Sequence, residues 1–301
     1  MNNTNVKNQS NITGQQRYEI GYLTSKDGTK IGYRQYGQGP GLVLVQGTMG
    51  TAHNFMQLAE ALADNFTVYV PDRRGRGLSG PTGNQYNIQK EVEDLEATLA
   101  KTGTHYVFGL SSGAIISLQT ALTLPTIHKL VIFEPPLFVN GTVPSELIER
   151  YEREMSQGKA AAALITGMKA GQFGPPLFNA MPRWLLESLT NMMMKSEEKK
   201  ESNGYVPMRQ LASTLHYDFQ LVSEMSDKLQ SFRAVETEVL LLGGSKSPSY
   251  LKVALDHLEK VLPSAKRIEL AGLDHAAAWN RDRGGKPEPV AKELIRFFDE
   301  S

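Results

Sequence analysis

The chain of 301 residues has no cysteine, which excludes disulfides, thiolate nucleophiles and zinc-thiolate sites together. A cytoplasmic protein is the expectation that follows. Net charge is absent as well: Lys plus Arg and Asp plus Glu both number 32, so no long-range field favours nucleic acid, an anionic membrane or an acidic partner. The default partner is then a small, roughly neutral molecule; a homo-oligomer is compatible with the sequence but not indicated by it. Residues 1–16 are rich in Asn, Gln, Ser and Thr and lack the basic start and apolar core of a signal peptide or membrane anchor, so they are expected to form a disordered tail without membrane insertion. The Asn-X-Ser/Thr triplets at Asn2, Asn8 and Asn11 are what such a composition produces by chance. No G-x-x-x-x-G-K-[ST] phosphate cradle, no H-E-x-x-H metal pair and no internal repeat is present, and neither a cofactor nor a metal is expected.

What the chain does contain is alternation. Strand-like patterns over 18–23 and 30–36 flank Lys26-Asp27-Gly28, a hairpin signal. Beyond them come nearly continuous apolar runs over 42–46 and 66–70, as expected of strands covered on both faces by helices. A helix over 55–63 separates these two. Helix 88–102, strand 106–110, helix 113–124 and strand 129–133 follow, predicting an α/β fold with a mostly parallel sheet. From about residue 137 to 232 the rhythm gives way to helix-like segments alone. It then resumes with strand 238–242, helix 250–262, strand 267–270 and helix 289–298. The expected organisation is a core of residues 17–136 and 233–301 and a helical cap over 137–232. Eight of the 11 methionines fall in the cap segment, where flexible thioethers suit either helix packing or an adaptable apolar roof.

Chemistry is concentrated at Gly109-Leu110-Ser111-Ser112-Gly113, where a predicted strand runs directly into a predicted helix. A serine on so sharp a turn needs small residues on both sides, and the turn pushes its Oγ into the open. This is a nucleophile elbow with Ser111 at its tip.

Four segments, in order and each after a predicted strand, resemble the α/β-hydrolase family from about Tyr18 to the C-terminus, with the insertion the loosest part. They are the elbow; Gln46-Gly47-Thr48-Met49; Pro71-Asp72-Arg73-Arg74-Gly75-Arg76-Gly77-Leu78-Ser79, similar to the family's D-x-R-G-x-G-x-S loop; and Gly272-Leu273-Asp274-His275. The resemblance implies the α/β-hydrolase fold with a helical cap after strand 6, and a serine, acid and histidine triad in which His275 takes the proton from Ser111. It also implies an oxyanion hole from the backbone N–H groups of Ser112 and Thr48. Where relatives have His-Gly, this chain has Gln46-Gly47; a main-chain hole tolerates that change.

The acid is the departure. Most relatives place Asp in the loop after strand 7, but Gly243-Gly244-Ser245-Lys246-Ser247-Pro248 holds no carboxylate. A position used by some family members, at the end of strand 6, offers Glu134, ahead of Pro135-Pro136. Proline disfavours the helical region for the residue before it, so Glu134 is expected to remain extended at the catalytic edge. Asp274 and Asp218 are read as outsiders, and the arginines of the 71–79 loop as structural. Met49, His53 and Trp279 are candidates for substrate contact, although Trp279, like Trp184, is equally suited to packing.

The function this implies is a cofactor-independent serine hydrolase cleaving a small to medium, mainly apolar ester, thioester or lactone. Perhydrolase-type or other non-hydrolytic chemistry on the same scaffold remains open, as does a ligand-binding protein with a vestigial triad.

Overall fold

The strands of the computed structural model are β1 (Glu19–Thr24), β2 (Lys30–Tyr36), β3 (Gly41–Val45), β4 (Thr67–Pro71), β5 (Tyr106–Leu110), β6 (Lys129–Phe133), β7 (Glu238–Gly244) and β8 (Ala265–Leu270). They form one 8-stranded sheet in the order β1-β2-β4-β3-β5-β6-β7-β8. The structure describes residues 18–139, 143–173, 180–199 and 205–300; the expected tail over 1–16 lies outside them, as do parts of the insertion. β1 and β2 form the expected antiparallel hairpin, its turn closed by Ser25 N–H donating to Thr29 O at 2.8 Å, with Gly28 at φ 88°. β2 also pairs antiparallel with β4, and every remaining pairing is parallel.

Alternation along the parallel strands divides the core into two layers. Leu42, Leu44, Phe108, Leu110, Val131 and Phe133 pack on one face, with Phe55 and Leu58 of the α1 region (Met56–Leu62) and Leu294 and Phe298 of α10 (Pro287–Asp299). Val43, Val45, Val107, Leu130 and Ile132 pack on the other. There they meet α2 (Ile88–Thr102), α3 (Ser112–Thr123) and α9 (Ser249–Val261) through Leu95, Ile115 and Leu255. Burying one such side chain stabilises the fold by roughly 1.5–3 kcal/mol, so the two layers hold the strand ends in register. The helix expected from residue 55 is entered through a 3-10 turn, Ala52–Phe55, because Asn54 Oδ1 accepts the Thr51 N–H at 2.9 Å and tightens the chain ahead of it.

Between β6 and β7 lies the helical insertion: α4 (Ser145–Ser156), α5 (Ala160–Ala170), α6 (Arg183–Glu197), α7 (Met208–Ala212) and α8 (Leu215–Met225). Tyr151, Ala163, Leu164, Met194, Ala212 and Leu215 form its own apolar cluster, against which Met155, Met168 and Met208 pack. The Tyr151 hydroxyl donates to Ala212 O at 2.7 Å. These methionines therefore take part in helix packing, and Met192 and Met193 are exposed. Among the described residues no helix is long and apolar enough to cross a membrane.

Candidate active site

The end of β5 delivers Ser111 in the conformation expected of an elbow. Its φ is 56° and ψ −122°, a region that costs a non-glycine residue about 1–3 kcal/mol and persists only where the surroundings enforce it. Enforcement is visible on both sides. Ser111 N–H donates to Phe133 O at 2.9 Å, and Ser111 O accepts from Ala114 N at 2.9 Å as α3 begins. Behind it Gly113 must be glycine, since a Cβ there would lie 2.5 Å from Gln46 O. Ser111 is 4% exposed.

Glu134, one residue beyond β6 and fully buried, meets His275 across the end of β7. Its Oε2 lies 2.8 Å from His275 Nδ1, while Oε1 accepts the Gly244 N–H at 2.6 Å. The last two residues of β7, which the sequence placed in the loop beyond it, contribute space and an N–H in place of a carboxylate: a Cβ on Gly243 would stand 3.0 Å from Glu134 Oε1. Glu134 is not extended, as its φ is 45°. The preference that a following proline imposes for extended backbone is overridden here: the bonds of Glu134 to Leu242 O (3.2 Å, from N–H), Gly244 and His275 hold the positive φ. Among the described residues the Ser111 hydroxyl has no hydrogen bond to His275, a link that commonly tightens only around substrate.

Phe173, from the insertion, stacks on the His275 ring with centroids 4.9 Å apart and planes 14° apart. Tyr250, at the start of α9, donates its hydroxyl to Gly171 O at 3.1 Å, joining the same part of the insertion to the core. Burial, together with the nearby Glu134, pushes the Tyr250 phenol well above its usual range, so it stays a neutral donor.

The loop after β3 keeps its shape through the residue that departs from the family pattern. Gln46, fully buried, donates its Nε2 to Pro71 O at 2.8 Å and so ties the ends of β3 and β4. Neither the Thr48 N–H nor the Ser112 N–H donates to an acceptor among the described residues. The latter is the first N–H of α3, which has no partner within the helix.

The other sequence candidates are distributed as follows. Met49 (φ 54°) packs against the insertion's cluster. His53 sits edge-on to Tyr205 at 5.4 Å, and burial lowers its pKa, so the ring is neutral. Trp279 is buried against Phe55, centroids 5.0 Å apart, and against Gly50. Asp274 faces solvent and accepts the Ala276 N–H at 3.0 Å. His105 and His128 stack on each other at 4.5 Å, where β5 and β6 begin, at the end of the sheet remote from Ser111. Among the described residues no group of three His, Asp or Glu side chains could hold a metal ion.

One cluster escapes a reading of the sequence. Asp218 of α8, dismissed above, is buried among Arg73, Arg76 and Ser112: Oδ1 lies 2.8 Å from Arg73 Nη1 and accepts the Ser112 hydroxyl at 2.8 Å, and Oδ2 lies 2.5 Å from Arg76 Nη2. Glu91 pairs with the far side of Arg73 at 2.7 Å. Burial pushes the Asp218 carboxyl up, but Arg76 and Arg73 outweigh it and hold it below the ordinary value. A signal existed: Asp218 interrupts the apolar stripe Leu215, Leu221, Met225, and a charge on a buried face implies a buried partner.

The model of a known family, described as "Alpha/beta hydrolase family", matches residues 42–293. A crystal structure of an alpha/beta hydrolase from Sphaerobacter thermophilus superimposes with a TM-score of 0.75 at 31% identity, covering 92% of this chain and 99% of that one. The 2-(acetamidomethylene)succinate hydrolase of Mesorhizobium japonicum is 24% identical over 94% of both chains. An uncharacterised hydrolase of Bacillus subtilis, YraK, is 38% identical over 36% of this chain and 42% of its own length.

Proposed function

Because the chain belongs to the alpha/beta hydrolase family, we propose that it is a serine hydrolase acting through an acyl-enzyme on Ser111, with His275 as base and Glu134 as the acid that orients it. The observation that carries this reading is the 2.8 Å contact between Glu134 Oε2 and His275 Nδ1. A carboxylate there keeps the proton on Nδ1 and leaves Nε2 free to accept the one from Ser111 Oγ. As Oγ attacks the carbonyl carbon, the oxygen that gains charge is received by the Thr48 and Ser112 N–H groups, which are free to donate. The imidazolium returns its proton to the leaving group, and water repeats the sequence to release the acid.

The surroundings support a substrate class. Phe173 covers the imidazole, His53 is neutral, and Arg73, Arg74 and Arg76 are each bound to carboxylates of the protein. An uncharged, mainly apolar ester, thioester or lactone of small to medium size fits this setting. A fluorophosphonate probe tests the assignment: it should label the protein, and Ser111→Ala should abolish labelling. On a nitrophenyl ester, Glu134→Gln should lower kcat by about 10⁴-fold, as in triads that lose their acid; full activity in that variant would remove Glu134 from the mechanism.

A further inference from the structure

We infer that Arg76, held by Asp218 of the insertion, is a positioning residue of the oxyanion hole: it fixes and polarises the peptide that carries the Thr48 N–H. The inference rests on the reading of Ser111, Thr48 and Ser112 given above. Arg76 Nη1 donates to Gly47 O at 3.0 Å and to Gly50 O at 3.3 Å. Gly47 O and Thr48 N belong to one planar peptide unit whose C=O and N–H point in opposite directions. A guanidinium on the carbonyl therefore sets where the N–H points, and by drawing electron density towards the oxygen it makes the N–H a stronger donor. The Gly47 carbonyl also accepts from Gly50 N at 3.1 Å, which fixes the same plane from a second side. Gly47 lies close to the nucleophile, since a Cβ on it would be 2.8 Å from Ser111 Cβ.

Asp218 completes the arrangement. Its two oxygens take Arg76 and the Ser112 hydroxyl, so one carboxylate from the insertion is bonded to the residue behind one oxyanion donor and to the residue bearing the other. Arg73 closes the ring by donating to Ser112 Oγ at 3.0 Å and to Asp218. The D-x-R-G-x-G-x-S pattern does not account for Arg76: the ties between loop and α2 are made by Arg74, which bonds Asp94 at 2.7 Å, and by Arg73, which bonds Glu91 at 2.7 Å. A buried cation whose carbonyl partners both belong to the oxyanion loop needs another purpose, and the peptide plane supplies it.

The test compares wild type with Arg76→Met, Arg76→Lys and the double variant Arg76→Met/Asp218→Asn, whose remaining buried pair, Arg73 and Glu91, is charge-balanced. Each is read for kcat and KM on p-nitrophenyl butyrate, for its pH–rate profile, and for inhibition by a trifluoromethyl ketone, whose adduct with Ser111 carries an oxyanion. Arg76→Met should lower kcat on the order of 10- to 100-fold, less than the deletion of a donor outright. The ketone should weaken by the same factor, KM should stay within about twofold, and the pH at which activity falls should not move. Arg76→Lys should recover part of the loss. If Arg76→Met does not melt cooperatively, the double variant is read by the same criteria. Unchanged ketone inhibition, or a loss confined to KM, overturns the inference while leaving Ser111 as nucleophile. Failure of wild type to take up a fluorophosphonate at Ser111 overturns the parent reading, and this inference with it.

Discussion

At the scale of single residues, the site depends on atoms that are missing as much as on those present. Gly243 is the clearest case, because an added methyl would stand 2.7 Å from Leu255 Cδ1 and 3.0 Å from Glu134 Oε1. Gly243→Ala should displace the carboxylate and lower kcat/KM on a nitrophenyl ester by up to about 100-fold, the scale of a 1 Å misplacement, with the Ser111 and His275 side chains still intact. Steady-state kinetics on the folded variant checks this. The candidates Ser111, Glu134 and His275 were legible in the sequence because each follows a strand and sits in a locally distinctive setting, an elbow, a Pro-Pro step and a glycine loop, and the structure brings the last two together. The φ of Glu134 was not, since it is imposed by partners more than a hundred residues away, at Leu242, Gly244 and His275. Asp218 stands outside the candidate triad, as expected, but its partners Arg73, Arg76 and Ser112 lie in segments far from it in the chain and were not legible for a related reason.

At the scale of elements, two segments of the insertion reach the site by different means. α8 does so through a buried ion cluster, and removing one partner from such a cluster typically costs about 3–5 kcal/mol. Asp218→Asn should therefore be markedly less stable in urea at neutral pH. The sign of its pH dependence follows from the lowered carboxyl. A depressed native pKa stabilises the fold above the unfolded value of about 4, and that stability is lost as pH falls further, through the native value. The gap between wild type and Asp218→Asn should thus narrow below about pH 4. The segment after α5 reaches the site through Phe173 on the His275 ring. Phe173→Ala removes apolar surface without touching a proton path, so KM should rise several-fold with kcat largely kept. Periodicity revealed the strand and helix order well, because two-sided burial writes itself into continuous apolar runs. It could not assign the insertion's methionines, whose thioethers suit packing and pocket walls alike.

For the molecule as a whole, charge balance sets colloidal behaviour. With 32 residues of each sign and a pI of about 7.0, solubility should pass through a minimum near neutral pH and rise on either side. A turbidity series across pH 5–9 would show it. The sheet and its two apolar layers form a rigid frame, and the root of the insertion is part of that frame. Glu134 is pinned by three partners, and the next two residues are prolines, whose rings hold φ near −65°. A hinge at this root would unhook the carboxylate from the imidazole at every swing. If Glu134 orients His275 as proposed, any movement of the insertion that admits substrate should pivot farther out along it, so that entry and proton transfer do not share a moving part.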